Sequence, residues 1–263
     1  MEEQDLDFLL FIKKIKDFTS IDLAQYKEAQ MKRRLTTLRI KRGFHTFAAF
    51  FDEMMKDKSL FYEFLDRMTI NVSEFWRNPN RWEIVEKRFI PEMLRKTRRL
   101  KVWSAACSTG EEPYTLAMIL AEKGVLAEAH LLATDIDEGA LEKAKKGIYL
   151  DRSLRDVPED YIKKYFRQEQ AATFLISEQL KQAVKFQKQN LLVDPFDRDI
   201  DLIVCRNVII YFTEEAKHLL YQKFAKALKP GGLLFVGSTE QIFTPGQYDL
   251  ESADTFFYRK KML

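Results

Sequence analysis

The stretch from Lys101 to Ala121 constrains the fold more than any other. It passes from an apolar strand (Val102, Trp103) through a turn of small side chains into a helix that opens near Glu111 or Glu112. Ser104, Ala105, Ala106, Cys107, Ser108, Thr109 and Gly110 leave so little bulk in the turn that a ligand can approach the backbone closely. Only Gly110 matches a G-x-G-x-x-G fingerprint, and a single glycine in such a turn is ordinarily just a turn.

The next strand, Ala129 to Asp135, strengthens a cofactor reading. It ends in an acid at the distance expected for the ribose-binding carboxylate of a Rossmann-like unit. Two glutamates at the helix start argue against a pyrophosphate ligand, because they compensate the helix dipole themselves and repel phosphate. They suit a cation instead, such as an amino-acid ammonium or a sulfonium, and S-adenosylmethionine carries both.

Beyond residue 100, strands alternate with helices: Leu100 to Ala105, Leu116 to Glu122, His130 to Asp135, Glu138 to Lys146. That alternation predicts an α/β domain with a doubly wound, mostly parallel sheet over 99–263, interrupted by an irregular insertion at about 147–182. Two further strands are expected to end at Asn190 and at Arg206 and Asn207, on the same edge as the Gly110 turn, where ligands bind in open α/β sheets. Gly231 to Ser238 and Thr255 to Arg259 complete the alternation, with the final strand expected antiparallel at the edge.

Residues 1–70 read differently. Apolar residues recur at helical spacing in Phe8–Ile12, Phe47–Phe51 and Phe61–Leu65, which predicts a small all-α domain. Its second helix is expected to start at Asp22 as N-cap and to stop at Gly43. Along it, Lys27, Arg34 and Lys41 flank one side of a Met31–Leu35–Leu38 seam, Lys32 and Arg39 flank the other, and Arg33 adds to the charge. Such ridges are commonly just the solvated flanks of a core-facing helix; the functional alternative is a docking face for an acidic partner.

Residues 71–98 form a linker and a connecting helix. Asn71 and Ser73 read as caps or as ligand contacts, Phe75 and Trp76 as core, and Arg77 as a guanidinium able to hold a carboxylate bidentately.

Composition narrows the function. A chain of 263 residues, 46% hydrophobic and 32% charged, can bury a substantial core, and its net charge of +3 is too small to mark a nucleic-acid partner. Two cysteines and three scattered histidines show neither a disulfide framework nor zinc spacing, so no metal is expected. With no positively charged leader and no apolar run of membrane length, a cytoplasmic protein is expected. A monomer is expected as well. No Ser-His-Asp pattern, H-E-x-x-H or Walker loop is present, so hydrolysis and phosphoryl transfer lack their usual parts. Methyl transfer needs none of them. A carboxylate nucleophile, with a reference pKa of about 4.3 for Glu, is already ionised at neutral pH and requires no base. An Asn-Pro-Pro-Tyr type sequence, expected for a target that is an exocyclic base amine, is absent; Asn78-Pro79-Asn80 does not replace it.

Asn71 to Arg77, Trp103 to Tyr114, Ala133 to Asp137 and Cys205 to Phe212 together resemble the CheR family of chemotaxis-receptor glutamate methyltransferases, over almost the whole chain. The resemblance implies a Rossmann-like class I methyltransferase fold. It further implies methyl transfer from S-adenosylmethionine to glutamate side chains in the cytoplasmic helical region of receptors, giving methyl esters and S-adenosylhomocysteine. Carried over by position, Asn71, Ser73 and Arg77 would close over the cofactor, Glu112 would hold its amino group and Asp135 its ribose. Asn190, Leu191, Arg206 and Asn207 would hold the adenosine side, and Arg77 and Tyr211 would face the reacting carboxylate. Family members often carry Thr at the position of Ser73, and the hydroxyl is retained. Some members dock on a receptor's C-terminal peptide through an enlarged β insertion, beside which the stretch here is short. The resemblance also weights Lys27, Lys32, Arg33, Arg34, Arg39 and Lys41 towards substrate docking. Two other classes remain open: a nucleic-acid methyltransferase, and a non-catalytic adaptor that binds the cofactor without turnover.

Overall fold

The computed structural model describes residues 3–69 and 73–262. Four helices form the N-terminal unit: α1 (Glu3–Thr19), α2 (Glu28–Lys41), α3 (Phe47–Met54) and α4 (Lys58–Thr69). Phe8, Phe11, Ile15, Met31, Leu35, Leu38, Phe47, Phe50 and Phe64 close its core. The Met31–Leu35–Leu38 seam is thus buried, and each such side chain contributes roughly 1.5–3 kcal/mol by leaving water. Gly43, with φ of +80°, follows the end of α2 at the place expected.

The start of α2 differs from expectation. Asp22 caps a short 3-10 turn, Leu23–Gln25, by accepting from the Ala24 N–H, and α2 begins only at Glu28. The cause is tertiary. Tyr26 and Phe212 form an isolated antiparallel bridge, flanked by bonds from Lys27 N–H to the Tyr211 carbonyl (2.8 Å) and from Thr213 N–H to the Gln25 carbonyl (2.9 Å). Residues extended for that pairing cannot also be helical.

The connecting helix runs as α5 (Pro79–Ile84), a π-turn at Val85–Phe89 and α6 (Ile90–Leu94). Pro91 lacks the N–H that would bond back to residue 87, and the widened turn immediately before it accommodates the missing bond.

The larger unit is built as β1 (Lys101–Ala105), α7 (Glu111–Glu122), β2 (His130–Asp135), α8 (Glu138–Lys146), β3 (Ile148–Leu150), α9 (Glu159–Tyr165), β4 (Phe166–Gln170), β5 (Thr173–Ile176), α10 (Glu178–Ala183), β6 (Val184–Lys188), β7 (Ile200–Cys205), α11 (Glu214–Ala227), β8 (Leu228–Val236), β9 (Leu250–Asp254) and β10 (Phe257–Lys260). The main sheet has the order β6-β2-β1-β7-β8-β10-β9, parallel from β6 to β8, with β10 antiparallel to both of its neighbours. β7 is buried at every position, as expected for a central parallel strand covered on both faces. Side chains alternate between two cores. Val102, Leu202, Val204 and Phe235 pack with α7, Trp82 and Phe89, whereas Trp103, Ile203, Leu234 and Val236 pack with Leu220 and Phe224 of α11.

The insertion forms a separate three-stranded sheet, β3-β5-β4. Three expectations are corrected. The strand expected to reach Asn190 ends at Lys188, the one expected to reach Arg206 and Asn207 ends at Cys205, and the final strand lies inside the sheet because β9 covers it. β9 escapes a period-2 reading because Leu250 is its only fully buried residue; charged and polar side chains dominate an edge strand.

Gly110, the N-cap of α7, has φ of +98°, and a Cβ there would lie 2.8 Å from the Ala144 Cβ and 2.9 Å from the Tyr149 hydroxyl. Gly110→Ala should therefore destabilise the chain by roughly 2–4 kcal/mol, combining a strained backbone with overpacking. A urea midpoint equal to that of the unaltered chain would show that the turn relaxes freely.

Candidate active site

The ends of β1, β2, β6 and β7 open into one cleft enclosing about 940 Å³, mouth included, and the helical unit supplies part of its wall. Its floor is the turn between β1 and α7. Ala106 (φ +61°), Ser108 (φ +49°) and Gly110 hold left-handed conformations that turn backbone N–H groups towards β2. Cys107 N–H donates to the Thr134 carbonyl (2.9 Å) and Ser108 N–H to Asp135 Oδ2 (2.8 Å), so the turn is stapled to the neighbouring strand end.

Asp135 also accepts the Asp137 N–H at 2.9 Å. Those bonds occupy only part of a carboxylate's acceptor capacity of about four lone-pair sites. Burial pushes its carboxyl up to about 6, against the pull of these backbone donors. Asp137 behaves as read from sequence, capping α8 through the N–H groups of Gly139 and Ala140.

The paired glutamates divide their tasks. Glu111 is buried outside the cleft lining, where Thr109 Oγ1 (2.7 Å) and the Ser73 hydroxyl donate to it. Glu112 lines the cleft, accepts from Ser104 Oγ (2.8 Å) and lies 4.0 Å from Arg206 Nη1. Burial pushes its carboxyl up to about 7, and Arg206, Ser104 and Arg77 pull in the other direction.

Arg206 fixes the linker. Its Nη2 donates to the Arg77 carbonyl (2.8 Å) and to Asn78 Oδ1 (2.6 Å), while its guanidinium lies over the Phe235 and Trp82 rings. Trp76 and Asn78 both have positive φ, so the linker is a sharply turned strap whose Phe75 and Trp76 are core residues.

On the opposite wall, Asn190 Oδ1 accepts the Leu192 N–H (3.0 Å), and its Nδ2 donates to the Ser20 carbonyl of the helical unit (3.3 Å). Arg34 lies over the Tyr211 ring, 5.2 Å from its centroid, and donates to the Met68 carbonyl.

Ser73, Arg77, Glu112, Asp135, Asn190, Leu191, Arg206, Asn207 and Tyr211 all line this one cleft; Asn71 lies outside the described residues. Sequence reasoning missed Tyr26, Met68 and Gln189. Tyr26 and Met68 come from the helical unit, and their only signal was membership of an apolar pattern. Gln189 precedes Asn190, and its buried Oε1 has no hydrogen-bond partner while its Nε2 donates to the Pro195 carbonyl.

Of the basic residues expected along the second helix, Lys27 precedes it as its N-cap because its backbone pairs with Tyr211, and Lys27, Arg33 and Lys41 are exposed. Lys32 sits over the Phe8 ring, and Arg39 donates to the carbonyls of Phe44 and His45, tying down its own helix end. Among the described residues no cluster of His, Cys, Asp and Glu is gathered as for a metal, and no helix is long and apolar enough to cross a membrane.

Comparison with known proteins agrees with this geometry. A family model described as CheR methyltransferase, SAM binding domain, matches residues 71–257, and one described as CheR methyltransferase, all-alpha domain, matches residues 6–69. A chemotaxis protein methyltransferase of Listeria innocua is 44% identical over 97% of both chains. One from Borreliella burgdorferi is 34% identical over 91% of this chain and 89% of its own. Chemotaxis protein methyltransferase 1 of Pseudomonas aeruginosa is 30% identical over 99% of this chain and all of its own.

Removing the Arg206 guanidinium takes away the hydrogen bonds that its Nη2 gives to the Arg77 carbonyl and to Asn78 Oδ1. Arg206→Met should cost roughly 2–4 kcal/mol, since each such bond lost from a buried charged donor contributes about 1.5–3 kcal/mol. Chemical denaturation measures the loss, and a change below about 0.5 kcal/mol, the ordinary range of a surface substitution, would mean that the strap does not depend on this bond.

Proposed function

The chain belongs to the CheR methyltransferase family and is an S-adenosylmethionine-dependent methyltransferase, and from that premise we propose that it methylates glutamate side chains in the cytoplasmic helical region of chemotaxis receptors. The products are glutamyl methyl esters and S-adenosylhomocysteine. The observation that carries the reading is the charge layout of the cleft. Carboxylates (half-buried Glu112 and buried Asp135) line its floor, and guanidinium groups (Arg77 in its lining, Arg34 over Tyr211) stand where linker and helical unit meet it.

The residues present fit the cofactor. Glu112, its carboxyl raised to about 7 and engaged by the Ser104 hydroxyl and a 4.0 Å guanidinium contact, keeps acceptor capacity for a ligand ammonium. Asp135 retains lone pairs for ribose hydroxyls, and Gln189 Oε1 and Arg206 Nε are buried polar atoms lacking partners in the same cleft. Asn190, Leu191 and Asn207 would complete the adenosine side, with Asn71, Ser73 and Arg77 closing the strap over it. The cofactor would supply a methyl group on a sulfonium, to which a carboxylate oxygen bonds as the carbon–sulfur bond breaks and S-adenosylhomocysteine leaves, with no general base required. The protein's remaining task is to hold that carboxylate at near-attack distance and partly dehydrated. Arg77 and Tyr211 would do so, while Lys27, Arg33, Arg34 and Lys41 would draw in an acidic helix. Lys32 and Arg39, packed within the helical unit, would contribute charge only.

The direct experiment incubates the chain with methyl-labelled cofactor and either receptor cytoplasmic fragments or RNA. Base-labile label on protein is expected. Label on RNA would identify a nucleic-acid methyltransferase, and cofactor binding without transfer to either would identify an adaptor.

Glu112 predicts a pH dependence. Its carboxyl is raised from 4.5 to about 7, so between those values the folded chain binds the extra proton and, without ligand, loses stability as pH rises. Binding of the cofactor's ammonium needs the ionised form. The rise in Tm caused by S-adenosylhomocysteine should therefore be fully present above pH 7 and fade as pH falls through it. Glu112→Gln should flatten this profile; an unchanged profile would assign the ammonium to another group.

Arg77 has opposing effects, positioning the carboxylate while stabilising an anion whose charge is lost in the transition state. Positioning should prevail, because near-attack geometry can supply about 7–11 kcal/mol, whereas a partly exposed ion pair contributes about 0–1 kcal/mol. Arg77→Ala should lower kcat roughly 100-fold or more with the fold intact, and Arg77→Lys should recover little, lacking the planar fork. Wild-type turnover by the Lys variant would reduce Arg77 to a generic positive charge.

A further inference from the structure

Glu240 is 4% exposed, follows β8 and is not part of the cleft lining. Its carboxylate lies behind the loop that joins β7 to Tyr211. Oε2 accepts the N–H groups of Asn207 (2.7 Å) and Gly237 (2.8 Å), Oε1 accepts the Ile210 N–H (3.2 Å), and the Ile209 backbone also donates to the carboxylate. Asn207 has φ of +61°, a conformation that turns successive N–H groups inward and makes a concavity for an anion. Gly237 is required by the same arrangement, since a Cβ there would stand 2.9 Å from the Asn207 nitrogen and closer still to Glu240 Oε2.

From this geometry we propose that Glu240 is a positioning residue for methyl transfer, acting through the Asn207–Ile210 loop and not on substrate or cofactor. Oε2 sets Asn207, which faces the cofactor side of the cleft. Oε1 sets Ile210 and so the 3-10 turn Ile209–Tyr211 that carries Tyr211 to the cleft mouth. The far end of the loop is already fixed by the Tyr26–Phe212 bridge and the Lys27 N–H bond to the Tyr211 carbonyl. With both anchors in place, the loop has no freedom to retreat when the cleft fills. A carboxylate is suited to this site because it only accepts. An amide offers one accepting oxygen, and its NH₂ would confront an N–H donor.

The inference rests on the proposed transfer to glutamate for the role of Tyr211, but not for the role of the loop. Full-length Glu240→Gln and Glu240→Ala should be compared with the unaltered chain by calorimetry with S-adenosylhomocysteine, by amide hydrogen exchange over residues 206–212, and by methylation of receptor fragments at saturating cofactor. The Ala variant should bind S-adenosylhomocysteine at least tenfold more weakly and exchange faster at Asn207 and Ile210. The Gln variant, whose oxygen can still serve Asn207 and Gly237, should bind within threefold of wild type. It should exchange faster at Ile210 but not at Asn207, and transfer methyl at least tenfold more slowly. Gly237→Ala, which displaces the carboxylate, should reproduce the Ala pattern. If the Ala variant fails to fold, the Gln variant decides by itself: wild-type exchange at Ile210 overturns the proposal. Wild-type affinity and exchange in a folded Ala variant overturn it equally. Absence of receptor methylation by the unaltered chain counts against the proposed function only, and exchange and calorimetry still decide the loop.

Discussion

The hydrogen bond from Ser108 N–H to Asp135 is the contact on which the rest of the site depends. Three left-handed residues within five positions turn the chain sharply after β1, and such a turn holds only where its inward N–H groups find acceptors. The Thr134 carbonyl and the Asp135 carboxylate supply them from the adjacent parallel strand. Strand pairing in register, Ala105 with Thr134, therefore fixes the floor of the cleft and aims α7. Because the acceptors sit on β2, the same contact sets how far Asp135 stands from Glu112. A Rossmann-like sheet with a different register at this one pair would have no such cleft.

Much of this was readable from residue order. The alternation of strands and helices gave the parallel sheet, since β1, β2 and α8 announce themselves by clean periodicity and by Asp137 and Gly147 at the helix ends. The cleft residues were legible because they follow strand ends, a position that chain topology alone brings to one edge. What stayed hidden was set by tertiary pairing. Asp22 is a good N-cap by type, yet the chain after it is drawn into a bridge with Phe212, and local propensity yields to that contact. β9 was invisible because an edge strand with charges on it lacks an apolar rhythm. Arg206 looked like a ligand residue, and its first engagement proved to be with backbone 129 positions earlier, which no spacing rule encodes. Tyr26 and Gln189 were missed because a lone tyrosine in a helical pattern and a glutamine at a strand end carry no motif of their own.

Charge in the cleft and directly behind it is balanced at close range and not by distant surface groups. Glu112, Asp135 and Glu240 are carboxyls raised by desolvation, and Arg206 is a buried guanidinium lowered by the same cause. The carboxyls accept from a small number of fixed donors, chiefly backbone N–H groups and the Ser104 hydroxyl, and Arg206 donates to the Arg77 carbonyl and Asn78 Oδ1. Such groups do not reorganise much when a ligand arrives, so the environment that meets a bound sulfonium is preset.

The two-residue bridge at Tyr26 and Phe212 makes the division into a helical unit and a sheet unit one of ancestry more than of mechanics. The covalent strap between them runs on one side of the cleft and the bridge closes the other, so the chain forms a ring around its own working space. Tyr26 and Met68 are bricks in the same wall as Asn207 and Tyr211. Cutting the chain between its two family segments would not yield a reader and a catalyst. It would yield a chamber with a side missing, open to water along the wall that Tyr26 and Met68 supply.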